Sequence, residues 1–111
     1  PLASVVICIF IEKAALDIFM DAVNKMVDKA CDSETVDKLK KCAMNVTGVE
    51  NIDLLRTRVF GNKIYVDMEI AADGNKTLNE THAVAENVHD AIENGFPKVK
   101  HIMVHVNPAK K

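Results

Sequence analysis

The sequence predicts an α+β fold of two layers, a small sheet with helices packed on one side. Three observations point to it. Two runs of alternating apolar and polar residues meet at Gly61-Asn62. A helical stretch follows, opened by Thr77-Leu78-Asn79-Glu80 and stopped at Gly95 and Pro97. A third alternating run, Val99 to Val106, then carries His101 and His105 on one side. A hairpin, a helix and a returning strand form one supersecondary unit.

The first element predicted is one long helix from Leu2 to about Ala30. No Gly or Pro interrupts it, and Leu16, Phe19, Met20, Val23, Met26 and Val27 recur at helical spacing. Leu2 to Ile11 is apolar all round, and the stretch becomes amphipathic after Lys13. Ten apolar residues are too few to span a bilayer, which takes about 20. Two readings stay open from composition: a buried helix of a soluble protein, or the end of a transmembrane helix.

Cys31-Asp32-Ser33-Glu34 breaks the pattern and supplies a cap for a second helix, with Val36, Leu39, Ala43 and Met44 as its apolar stripe. Gly48 ends it, being free to take positive φ. Val49 to Phe60 reads as a strand, with Arg56 and Arg58 on one face and Leu55, Thr57 and Val59 on the other. Gly61-Asn62 is a hairpin turn in which both residues tolerate positive φ. The next strand turns Ile64, Val66, Met68 and Ile70 inward and Tyr65, Asp67 and Glu69 outward. Thr77-x-x-Glu80 is a capping box. Ala85, Val88 and Ile92 form the buried stripe of its helix, and His82 and His89 share one side. In the last strand Ile102, Val104 and Val106 oppose His101, Met103 and His105. The order α-β-β-α-β implies a ferredoxin-like two-layer domain with an antiparallel-rich sheet and an open polar face.

Composition excludes several classes of function. The 111 residues suit one compact domain, and a hydrophobic share of 49% is enough for a core. A net charge of -2 and an aromatic share of 5% without Trp argue against nucleic acid as a partner. Cys8, Cys31 and Cys42 lack C-x-x-C spacing and read as small buried hydrophobes. There is no phosphate loop, no H-E-x-x-H and no paired nucleophile and base, so an enzyme is not expected.

Four pieces of the chain together resemble the cytoplasmic C-terminal domain of the cation diffusion facilitator family. They are Leu55-Arg56-Thr57-Arg58 with Gly61, the I-x-V-D of Ile64 to Asp67, the L-x-E-x-H of Leu78 to His82, and F-P-x-V with V-H-V-x-P from Phe96 to Pro108. The resemblance covers residues 46–108, and less specifically the opening. It implies that residues 1–30 are the end of a transmembrane helix and a linker. Residues 31–111 would be a ferredoxin-like, metallochaperone-like dimerisation and metal-binding domain on the cytoplasmic side of the cell inner membrane. The chain would then be a piece of a longer transporter that expels divalent metal ions in exchange for protons.

The resemblance further implies metal near the interface of a homodimer, held by Asp53, Asp67, His82 and His105, with Asn107 nearby. Zinc, manganese and iron(II) are the candidate ions. Asp53 and Asp67 stand where some zinc-handling members have histidine, and a mixed carboxylate and imidazole set also suits manganese or iron(II). Each residue has a plainer reading as well. His105 reads equally as a surface histidine at a subunit contact, His82 as a group fixing its helix to the sheet, and Asp53 and Asp67 as solvated acids. The approach of Asp67 to His105 depends on the second and third strands being neighbours. The alternative to the transporter reading is a freestanding ferredoxin-like regulatory domain that binds a small ligand or a metal.

Overall fold

The computed structural model describes residues 1–26 and 29–110. Its elements are α1 (Leu2–Met26), α2 (Ser33–Met44), β1 (Asn51–Phe60), β2 (Lys63–Ala72), α3 (Leu78–Gly95) and β3 (Val99–Pro108). The α+β, ferredoxin-like arrangement is as the sequence predicts.

Helix α1 is 25 residues long and buries none of them. Phe10 is 70% exposed and Ile18 72%. Its polar half carries the i,i+4 pairs Lys13–Asp17 at 3.3 Å and Asp21–Lys25 at 2.7 Å, which support a helix modestly. Among the described residues, no helix is long and apolar enough to cross a membrane. The predicted last turn includes residues 27 and 28, which lie outside the described residues. Beyond them the chain is fastened to the outer edge of β1. Val59 N–H donates to Lys29 C=O at 2.6 Å, and Cys31 N–H donates to Thr57 Oγ1 at 2.9 Å.

Asp32 caps α2. Its carboxylate accepts from Thr35 N–H at 3.2 Å and from Thr35 Oγ1 at 2.7 Å. These bonds, the side-chain one first, favour the ionised form and hold Asp32 below the usual aspartate range. Helix α2 ends at Met44, before Gly48. That glycine has φ of 98°, and an added Cβ would lie 2.6 Å from Val84 Cγ2. Two constraints therefore select glycine there: positive φ and close packing against α3.

The sheet has the order β1-β2-β3. Strands β1 and β2 are antiparallel, joined at Gly61 and Asn62. Only Gly61 uses positive φ, at 62°, the glycine-first arrangement of a type II′ turn. Strands β2 and β3 are parallel. The expected antiparallel-rich sheet is thus half parallel, because a strand that returns through a crossover helix runs in the direction it left.

The core lies between the sheet and the α2–α3 layer. Leu39 and Ala43 of α2 meet Val84, Val88 and Ile92 of α3 and the inward residues Ile64, Val66, Met68, Ile70 and Ile102. The buried stripe of α3 begins at Val84, not at the expected Ala85, which is half-buried. Residues four apart, Val84, Val88 and Ile92, form a straighter ridge toward the sheet.

The capping box of α3 is complete. Glu80 N–H donates to Thr77 Oγ1 at 3.3 Å, and Thr77 N–H donates to Glu80 Oε2 at 2.8 Å. The backbone bond from Thr77 comes first among the causes that lower the Glu80 pKa.

Two predictions follow from this packing. Gly48→Ala lowers stability by more than about 1 kcal/mol in urea unfolding, and more than Gly61→Ala, because a methyl at Gly61 meets nothing within 4 Å. Thr77→Ala lowers stability at pH 7 by about 1 kcal/mol. A lowered folded-state pKa gives stability that is present above the unfolded value, 4.5 for Glu80, and lost as pH falls below it. Unfolding curves at pH 7 and pH 3 therefore show a smaller deficit for Thr77→Ala at the acid pH.

Candidate metal-binding face

The helices cover one side of the sheet and leave the other open. Alternation fixes what the open side presents. Strand β1 contributes Arg56 and Arg58, β2 contributes Tyr65, Asp67 and Glu69, and β3 contributes His101, Met103, His105 and Asn107. The face is basic at β1, acidic along β2 and imidazole-bearing on β3. The Arg58 guanidinium lies over the Tyr65 ring, 5.9 Å from its centroid, within cation–π range. Met103 is 60% exposed in the middle of β3.

Asp53 owes its position to an irregularity in β1. Ile52 pairs with Ile70 and Leu54 with Glu69, so Asp53 is the extra residue of a bulge. Bulges re-aim side chains, and here Asp53 meets β3. Asn107 Nδ2 donates to Asp53 Oδ2 at 3.2 Å and to Glu69 Oε2 at 3.1 Å. Asn51 Nδ2 donates to the other Asp53 oxygen at 3.1 Å. A cavity of about 820 Å³ opens beside them, lined by Glu50, Asp53, Glu69, Asn107 and Lys110 among others.

Asp67 is exposed at the centre of the open face. In register it faces Arg56 on β1 and Met103 on β3. Strands β2 and β3 are neighbours, as the approach of Asp67 to His105 requires. The residue in register with His105, however, is Glu69. Glu69 is the carboxylate that sequence reasoning missed. Its outward direction was legible from alternation, but the offset between β2 and β3 was not.

His82 belongs to the other layer. It lies in the first turns of α3, with Nε2 3.5 Å from Glu86 Oε1. It lines a small cleft with Ala85, Glu86, His89 and Val104. His89 makes the same i,i+4 contact with Glu93, at 3.1 Å. One chain therefore places Asp53, Asp67 and His105 on the open face and His82 on the helix layer. Among the described residues, no three His, Cys, Asp or Glu side chains are grouped closely enough to hold a metal ion.

Residues 31–109 match the family model described as the cytoplasmic domain of cation efflux proteins. The manganese efflux system protein MneP of Bacillus subtilis is 25% identical over 96% of this chain and 36% of its own length. Metal tolerance protein C1 of Arabidopsis thaliana is 28% identical over 98% of this chain and 23% of its own length. An uncharacterised Bacillus subtilis transporter, YdbO, is 31% identical over 97% of this chain and 37% of its own. The chain thus spans about a third or less of the length of these relatives. Among solved structures, a variant of the MamM CTD covers 71% of this chain and all of that one, with a TM-score of 0.70 at 23% identity. A manganese form of another variant covers 70% of this chain and all of that one, with a TM-score of 0.67 at 26% identity.

Proposed function

We propose, from the premise that this chain belongs to the cation efflux protein family through its cytoplasmic domain, that it is the dimerising and metal-sensing part of a divalent metal transporter. The observation that carries this reading is the open face. It displays Asp53, Asp67 and His105 toward solvent, and among the described residues of one chain no three such side chains are grouped closely enough to hold an ion. A second copy facing the first would bring its own Asp53, Asp67 and His105 to the same face, whereas His82 stands on the helix layer and its place in the set rests on the family resemblance. Metal would then be held between two chains by Asp53, Asp67, His82 and His105. Their mixed oxygen and nitrogen donors suit manganese, iron(II) or zinc. Neutral imidazole is the binding form, so acid weakens such a site.

The mechanism is linkage. A metal ion that binds only where two chains meet favours the closed pair by its differential affinity for that state. In the full-length protein this would couple cytoplasmic metal to proton-coupled export across the cell inner membrane. Residues 1–30 would join the domain to the membrane part, and residues 31–111 would stand on the cytoplasmic side. The names of the relatives support metal efflux, and solved MamM CTD forms with manganese, nickel and cadmium support metal binding by this fold. No catalysis is assigned to the chain.

Calorimetric titration of the full chain with manganese, iron(II) and zinc tests this reading, with Asp67→Ala and His105→Ala beside it. The expected result is micromolar binding by at least one ion, weakened tenfold or more in both variants. Sedimentation should show a larger dimer fraction as metal is added. A dimer that forms without binding any of the three ions would reduce the domain to a scaffold and withdraw the ligand assignments.

A further inference from the structure

The Asn107 side chain ties together three strands. It projects from β3, and its single amide nitrogen serves Asp53 at the β1 bulge and Glu69 on β2, at 3.2 and 3.1 Å. An amide NH₂ group has two hydrogens, one for each carboxylate, and no charge. Carboxylates accept such bonds well when ionised. Two acids converging on one point otherwise repel, and a divalent cation is the common way to hold them.

We infer that Asn107 is a positioning residue that acts as a neutral stand-in for a cation. Its amide donates to both Asp53 and Glu69, so a metal ion that engages the two carboxylates together must displace it. This rests on the ligand role proposed above for Asp53, and it adds a threshold. With the amide in place, the metal affinity of this corner is set below what the two carboxylates alone would give. Asp67 and His105 lie outside the clamp and carry the first contact with the ion. The device uses no change of fold, only competition between two hydrogen bonds and a cation for the same oxygens.

Asn107→Asp tests the clamp, because it keeps the shape, removes both donors and adds a third carboxylate. The full chain and the variant are compared by thermal unfolding in EDTA and by manganese titration. In EDTA the variant should melt below the parent chain. Manganese should raise its melting temperature and bind at least tenfold tighter than to the parent. Adding Glu69→Gln should remove most of that gain, which a merely structural role for Asn107 does not predict. If Asn107→Asp fails to fold, Asn107→Ala decides. Tighter manganese binding than in the parent supports the clamp, and unchanged binding overturns it. Equal manganese affinity in Asn107→Asp and the parent would likewise overturn it. An Asn107→Asp variant that binds manganese beside a parent chain and an Asn107→Ala variant that do not would overturn the clamp, because the added carboxylate alone would account for the binding.

Discussion

The structure depends on the central strand being packed on one side only. Strand β2 has β1 on one flank and β3 on the other, so its alternation sets both faces of the sheet. Ile64, Val66, Met68 and Ile70 are buried beneath α2 and α3. That burial supplies most of the driving force available to so small a domain. It also fixes Tyr65, Asp67 and Glu69 on the opposite side, because a slip of one residue would bury acids and expose the core. The open face is the other half of the pattern that makes the core.

The crossover through α3 adds the second constraint. It returns β3 parallel to β2 and sets His105 beside Glu69 and Met103 beside Asp67. A hairpin would have produced a different set of neighbours on the same face. The bulge at Asp53 adds a third, turning a residue of β1 toward the end of β3. The chemistry of the face therefore arises where three backbone features meet. No single segment of sequence contains it.

Carboxylates and imidazoles are divided between a sheet face and a helix layer, Asp67 and His105 on the first and His82 on the second. Helix α1, apolar over its first half, has no buried residue.

The element order, the caps, the hairpin at Gly61 and the inward residues of β2 were legible in the sequence. Each is set by local chemistry: periodicity of 2 or 3.6, a side chain that accepts backbone N–H groups, or a glycine that takes positive φ. The stripe of α3 was misplaced by one residue, because Val84 and Ala85 both lie near the buried side and only packing against Gly48 and the sheet distinguishes them. The candidate acids and histidines were legible as residues on faces. Their partners were not. That Glu69 rather than Asp67 stands beside His105, that Asp53 sits on a bulge, and that Asn107 bridges two carboxylates all follow from strand register. Register is decided by how the whole core closes, so it belongs to the tertiary structure alone.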